Sequence, residues 1–305
     1  MRVLVTGASG FIGEALCRRL VADGEDVSAL VRRAGSEPDG TRPHVGDLAD
    51  EASLRAAVEQ ARPDCVMHLA AEIASQRDAR KVLEVNVRGT ERLLEAIAAA
   101  DGKLAQAAPR IVFASTVVTG DAAGGLLTEG DPLPVSTPYG RSKQEGERLV
   151  LGSGLHTAIV RPSHVYGPGG WYANELIKQL RSPGRLAVVG SGANLWDVVH
   201  VDDVVEALVL AALKAPAGAV YHVADDEPIT FYDFMALTAR ELGLGRPRRV
   251  PAWLAQIIAG RNAVDAVVRS ARSSNAKIKR ELSWRPRFPT AREGIADAVA
   301  RLATA

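Results

Sequence analysis

Cysteine is scarce: Cys17 and Cys65 are the two in 305 residues, each inside an apolar stretch. That excludes a disulfide framework and points to free thiols in a reducing compartment. Charge of one sign is equally lacking, because 37 Lys and Arg face 36 Asp and Glu, a formal net charge of +1. Nothing in that balance recommends nucleic acid or an anionic membrane as a partner. No apolar run reaches the roughly 18 residues that a membrane span needs. The opening Met1-Arg2-Val3-Leu4-Val5 lacks the charged head, long apolar segment and cleavage site of a secretory signal. A cytoplasmic protein is therefore expected. Internal repeats and low-complexity segments are absent too, and the basic stretch Arg269–Arg280 reads as a solvated surface, since acidic residues elsewhere balance it. What remains is an ordinary globular composition, 47% apolar and 24% charged, long enough for a large domain with a smaller companion.

What is present is a rhythm of short β-branched runs and helical stretches. Strands are predicted at Arg2–Gly7, Asp26–Val31, His44–Asp47, Cys65–Ala70, Arg110–Ser115, His156–Pro162 and Ala219–Ala224. They are apolar without alternation, as parallel strands covered on both faces are. Helices are predicted at Glu14–Asp23, Glu51–Gln60, Asn86–Ala100, Asn174–Leu180 and Val201–Leu213, with Gly24 as a stop and Asp50 as a cap. The expected fold class is α/β, a Rossmann-type doubly wound parallel sheet of about seven strands with a smaller, mainly helical C-terminal substrate domain. Residues 1–165 and 195–226 form the predicted dinucleotide-binding domain, and residues 166–194 and 227–305 the substrate domain, with Trp253 and Trp284 available to anchor its second layer.

The opening strand runs into Gly7, Gly10 and Gly13, spaced by three, and then into a helix. Gly7 permits a tight turn, Gly10 lets backbone amides approach a pyrophosphate, and Gly13 lets the helix pack on the strand, with the helix N-terminus adding partial positive charge. At the end of the second strand stand Arg32 and Arg33 in place of the carboxylate that would bind ribose hydroxyls. A guanidinium grips a 2′-phosphate in bidentate fashion, so NADP(H) is favoured over NAD(H).

Tyr139 and Lys143 are four residues apart and share one face if their segment is helical. A free phenol, with a pKa near ~10, is a poor base at neutral pH, and a neighbouring ammonium and an oxidised nicotinamide favour its ionised form. Lowering it to ~7 requires roughly 4 kcal/mol of differential stabilisation. Ser115 and Thr116 end the fifth strand at the sheet's carboxyl edge, where a hydroxyl can hold a substrate oxygen.

The chain resembles the extended short-chain dehydrogenase/reductases, the superfamily that includes NAD-dependent epimerases and dehydratases. Thr6-Gly7-Ala8-Ser9-Gly10-Phe11-Ile12-Gly13 matches the TGxxGxxG opening, and Gly46-Asp47-Leu48 the segment whose Asp meets adenine. His68-Leu69-Ala70-Ala71 is similar to the strand end lining the cofactor, and Asn86 to the helix position tied to the active site. Arg161-Pro162-Ser163-His164-Val165-Tyr166-Gly167-Pro168 resembles the RPxxxYGP segment that reaches the nicotinamide, and His200-Val201-Asp202-Asp203-Val204 the later HVxD signature. The resemblance implies cofactor contacts at Gly7, Ser9, Gly10, Phe11, Ile12, Gly13, Arg32, Arg33, Asp47, Leu48, Leu69, Ala70, Ala71, Asn86, Ser115, Tyr139, Lys143, Pro162, Ser163 and Val165. It further implies catalysis by a strand-end hydroxyl, Tyr139 and Lys143, and a homodimer built through two helices per subunit. Counting from Phe113 favours Thr116 as the hydroxyl; counting back from Gly120 favours Ser115, the loop being one residue short. Thr116 is preferred.

Departures from the family narrow the chemistry. Val117-Val118 stand where sugar-nucleotide dehydratases resemble one another in carrying Asp-Glu, and neither valine moves a proton. His164 replaces an Asn usual in epimerases, and Trp196 an Arg that grips a nucleotide diphosphate, although Arg248 and Arg249 lie in a region able to compensate. An indole suits an apolar or aromatic substrate, or else packs in the core. The expected activity is NAD(P)-dependent interconversion of a carbonyl and an alcohol on a small hydrophobic molecule, with Tyr139 as proton donor or acceptor. Similarity to dihydroflavonol-reductase-like and hydroxysteroid-dehydrogenase-like members points the same way. A sugar-nucleotide epimerase is the first alternative, a non-catalytic redox sensor the second. His164, Trp171, Tyr172 and Trp196 are the substrate-side candidates; Trp171 and Tyr172 either form part of a lid after Gly169-Gly170 or belong to the core. His200 and His222 show no zinc-like spacing, and no metal is expected.

Overall fold

The computed structural model describes every residue except 74, 75, 77, 102–107, 183–186, 252, 254–268 and 305. Seven parallel strands, β1 (Arg2–Thr6), β2 (Asp26–Val31), β3 (Arg42–Val45), β4 (Cys65–His68), β5 (Arg110–Ala114), β6 (Thr157–Pro162) and β7 (Ala219–Val223), form one sheet. Their order is β3-β2-β1-β4-β5-β6-β7. The order reverses between β1 and β4, and in open sheets of this kind the crevice outside the carboxyl ends at the reversal is where ligands bind. Each of the seven predicted strands is present. The third starts earlier than expected, at Arg42, because it is an edge strand, where Pro43 costs no ladder bond.

Sequence periodicity accounts for the layers. Along β1, Val3 and Val5 face one side of the sheet and Leu4 the other, the two-residue period of a strand. Helix α1 (Phe11–Ala22) buries Gly13, Leu16, Cys17 and Leu20, the i, i+3, i+4, i+7 stripe of a helix laid on a sheet. It packs with α7 (Val201–Lys214) on the Val3 face. The opposite face is covered by α2 (Glu51–Ala61), whose first amides are capped by the Asp50 carboxylate, and by a continuous run of α3 (Ala79–Leu83), a π-helical turn (Glu84–Arg88) and α4 (Gly89–Asp101). Next to α4 on that face lies α5 (Pro138–Leu151), with Thr137 capping the Gly140 amide and Pro138 in the first turn, where its missing N–H costs nothing.

A third cluster lies beyond β6. Tyr166, Tyr172, Trp196 and Val198 pack there with Leu180 of α6 (Lys178–Arg181), α8 (Phe231–Glu241) and α10 (Ala291–Thr304). Two expectations fail here. Trp284 does not anchor this layer: it follows α9 (Ala276–Leu282), belongs to the core on the Val3 face, and donates its indole N–H to the Asp203 carbonyl at 3.0 Å. Trp253 is 64% exposed. The reason for the first is that Asp203 also takes the amides of Arg287 and Phe288, at 2.5 and 3.1 Å, which ties the segment after Trp284 to the start of α7. Among the described residues no helix is long and apolar enough to cross a membrane.

Candidate active site

At the carboxyl end of β1 the chain turns through Gly7 at φ +72°, a left-handed conformation that favours glycine. A Cβ there would lie 2.7 Å from the Ala70 amide nitrogen, and one on Gly13 would lie 2.1 Å from the Gly7 carbonyl oxygen. Both positions are closed to any side chain. The residue before α1 is Gly10, and no side chain caps the helix, so its first amides point out at the crevice. This cradle fits the pyrophosphate of a dinucleotide.

Around it the structure orders the neighbouring strand ends. Thr6 Oγ1 lies 2.7 Å from His68 Nδ1 and accepts the Ala70 amide at 3.2 Å. His68 Nε2 reaches Thr90 Oγ1 at 2.9 Å, and Thr90 donates to the Asn86 carbonyl. Burial, with Lys143 nearby, pushes His68 down to about 3, so its ring is neutral. Arg32 and Arg33 are exposed just past β2, and Arg32 lies within electrostatic reach of Glu72 on the segment after β4. Leu48 is buried against Gly89, while Asp47 is exposed and spends one carboxylate oxygen on the Ala49 amide.

Helix α5 carries Tyr139 and Lys143 one turn apart. It lies close on the sheet because it presents glycine at two contacts: a Cβ on Gly140 would meet Thr119 at 3.0 Å, and one on Gly146 would meet the Phe113 ring at 2.8 Å. Asn86 pins the helix from the side, donating to Ser142 Oγ at 2.9 Å, and Ser142 donates to the Tyr139 carbonyl at 2.8 Å. Lys143 Nζ sits 4.1 Å above the Phe113 ring, two residues before Ser115. The ammonium is buried, which pushes it down to about 8, with Glu147 working in the opposite direction. Burial pushes the Tyr139 phenol up to about 12. No charged group of the protein offsets that desolvation; the depression expected of the phenol was tied to an oxidised nicotinamide as well as to Lys143.

The two strand-end hydroxyls differ in their bonds. Thr116 Oγ1 donates to the Pro162 carbonyl at 3.1 Å and accepts the Val118 amide at 2.9 Å. Ser115 Oγ is buried and, among the described residues, has no partner. Ser163 Oγ, one residue beyond β6, is in the same condition.

On the far side of β6 the imidazole of His164 stacks on the Trp196 indole, 4.4 Å between centroids and 9° between planes. Trp171 meets Trp196 edge-on at 6.3 Å and donates its N–H to the Val165 carbonyl at 2.7 Å. Tyr172 is not on the substrate side: it is fully buried, and its hydroxyl pairs with Thr238 at 3.1 Å. The glycines before it pack closely on Phe11, where a Cβ on Gly170 would lie 2.7 Å from the ring. Arg248 and Arg249 stand on a short strand paired with Ala187–Val189, where Arg249 lies over the Tyr232 ring at 4.4 Å.

Several polar groups escaped the sequence reading. Glu147 and Arg161 form a buried bidentate pair, 2.8 and 2.6 Å, behind Lys143; the 139, 143, 147 spacing along α5 was the available signal. Asp197 is buried, with Oδ2 receiving the Ser273 hydroxyl and Oδ1 unpartnered. Arg269 corrects the view of residues 269–280 as solvated surface: it is 8% exposed, one guanidinium nitrogen has no partner, and it lies within reach of Asp197 and Asp121. One group of potential metal ligands occurs among the described residues, His200, Asp202 and Asp297. Arg301 already bridges its two carboxylates, at 2.9 and 3.3 Å.

The strand-order reversal and the glycine turn under an uncapped helix are features of a Rossmann-type dinucleotide-binding fold. Residues 3–224 match the model of the NAD dependent epimerase/dehydratase family, and the chain belongs to that family. It is an NAD(P)-dependent enzyme of the extended short-chain dehydrogenase/reductase type. Its relatives include a 3-diazoavenalumate denitrifying reductase of a Streptomyces species, 35% identical, covering 97% of this chain and 99% of that protein. A 4-hydroxy-2-methyl-3-oxo-4-farnesyl-3,4-dihydroquinoline-1-oxide ketoreductase of Stigmatella aurantiaca is 33% identical, covering 80% of this chain and 74% of that one. Among solved structures, the UDP-glucose 4-epimerase of Thermus thermophilus in complex with NAD is 28% identical, covers all of both chains and superposes with a TM-score of 0.79.

Proposed function

We propose that this enzyme reduces a carbonyl, or a comparably electron-poor carbon, on a small and largely hydrophobic molecule, with NADP(H) preferred. The dinucleotide, when bound, supplies hydride. The observation that carries this reading is that Tyr139 and Lys143 stand one turn apart on α5, with Lys143 buried over the Phe113 ring two residues before the unpartnered Ser115 hydroxyl. A phenol held neutral is poised to give a proton to a developing alkoxide, the role that reduction requires. Ser115 is the hydroxyl proposed to hold the substrate oxygen, in preference to Thr116. Its Oγ is buried without a partner, whereas the Thr116 hydroxyl is committed to two backbone groups. Lys143 holds a positive charge next to the phenol and orients the bound ribose. Arg32 and Arg33 are proposed to meet the 2′-phosphate.

On the substrate side, the half-buried His164 and Trp171 are the residues proposed to meet a flat apolar molecule, with Trp196 buried behind them against Phe231 and Phe234. The epimerase alternative asks for a diphosphate grip where Trp196 stands; Arg269 is the buried cation nearest to that need. A pure redox sensor has no use for the hydroxyl, Tyr139 and Lys143 together.

The test is consumption of NADPH and NADH against aryl ketones, β-keto esters and steroid ketones, with UDP-sugars and an aromatic diazo acid as parallel arms, the last because of the Streptomyces relative. Turnover of a hydrophobic carbonyl with free exchange of cofactor is the expected result. Interconversion of UDP-sugars with a dinucleotide that copurifies would overturn it.

A further inference from the structure

We infer that His164, oriented by Asp197, reads an acidic hydroxyl on the substrate, phenolic or enolic, by accepting its hydrogen at Nε2. This rests on the reading above that the substrate lies against His164.

The imidazole is clamped everywhere except at that atom. A carbonyl oxygen only accepts, so the 3.1 Å contact from His164 Nδ1 to the Asp197 carbonyl places the ring proton on Nδ1. The backbone N–H of His164 donates to the same carbonyl at 3.3 Å, and the ring's face is covered by Trp196. Nε2 keeps its lone pair and bonds none of the described residues, while the side chain retains 16% exposure.

Behind the ring, Asp197 supplies what a proton acceptor needs. Its unpartnered Oδ1 lies 3.8 Å from Nδ1. Burial alone would raise this carboxyl, but His164, Ser273 and Arg269 together hold it below the ordinary carboxylate range. A carboxylate beside the Nδ1 proton stabilises the imidazolium formed when Nε2 takes a proton, the logic of an oriented histidine base. Arg269 and His222, the latter on β7, are the other charged or titratable groups within reach of Asp197. Arg269 opposes a second positive charge, which restricts full transfer to hydroxyls acidic enough to give up the proton. In that step the substrate O–H bond breaks, an Nε2–H bond forms and the electron pair stays on oxygen; the reverse step restores both.

The probe pair is 4′-hydroxy-3′-nitroacetophenone and its methyl ether, titrated into the wild-type protein with NADP⁺ present, and assayed separately for reduction with NADPH. The expected results are a phenolate absorption band on binding the hydroxy probe at a pH where the free probe is protonated, and about tenfold tighter binding of it than of the ether. His164→Gln, confirmed folded by thermal melting, should lose both the band and the preference. Equal binding of the two probes with no phenolate band overturns the inference, and reduction of both at equal rates would leave the proposed reductase function standing without it. Binding with the phenolate band but no reduction supports the inference and counts against the reductase reading.

Discussion

At the residue scale, the account turns on which groups hold protons and which hydroxyls are already occupied. Spacing, read together with the glycine turn and the strand-end hydroxyls, singled out Tyr139 and Lys143, because a helix puts residues four apart on one face. It did not reveal their charge states, which depend on burial that only tertiary packing creates. With Lys143 pushed down to about 8 and the phenol up to about 12, the pH dependence of the free enzyme has a defined sign. Below about pH 8 both groups carry their protons. Rising pH first removes the ammonium charge, while the phenol stays protonated through the alkaline range. We predict that kcat/KM for reduction declines above about pH 8 and that Lys143→Met, with activity already lowered, shows no such limb. The hydroxyl assignment was ambiguous in sequence because the loop from Phe113 to Gly120 is one residue short; the bonds of Thr116 carry the information that counting lacks. Ser115→Ala is expected to lower kcat/KM by roughly 10² with melting unchanged. Thr116→Val should instead cost stability, about 1–3 kcal/mol by denaturant titration, because it strips buried backbone groups of a partner.

At the scale of elements, glycine sets the distances. Gly7 and Gly13 allow α1 to start directly against β1, and Gly140 and Gly146 bring α5 down onto Thr119 and Phe113, which delivers Tyr139 and Lys143 to the end of β5. The first pair was legible, since three glycines between a strand and a helix have few other uses. The second was not, because isolated glycines in a helix read as weak points until their contacts are known. Gly13→Ala places a methyl 2.1 Å from a backbone oxygen that cannot rotate away. Dinucleotide binding, followed by fluorescence quenching, should be lost, and thermal stability should fall as α1 is displaced. The aromatic layer is the other lesson at this scale. Tyr172 followed a glycine-rich segment and had the look of a lid residue, yet the segment packs on Phe11 and the phenol bonds Thr238. Long-range packing of that kind leaves no local trace.

For the whole molecule, strand–helix alternation was enough to foresee a seven-stranded parallel sheet. The buried polar partners that connect distant segments were not foreseeable: Asp197 with Ser273, and Asp203 with the amides after Trp284. Each joins residues far apart in sequence, and pairings between distant segments have no period. Cofactor choice also belongs to this scale, since it depends on charge at the rim of the crevice. Replacing Arg32 and Arg33 together with alanine should weaken NADPH binding by about 10-fold or more, with a shallower salt dependence, and leave NADH binding nearly unchanged. Equal losses for both dinucleotides in a titration would argue that the pair does not read the 2′-phosphate.

The central claim is that Tyr139 gives the proton while the rest of the crevice binds and orients. Single-turnover reduction by Tyr139→Phe, measured alongside NADPH affinity, tests it most directly. The account predicts a rate lower by at least about 10² with affinity within a few-fold of wild type. A variant that reduces substrate at the wild-type rate would contradict it.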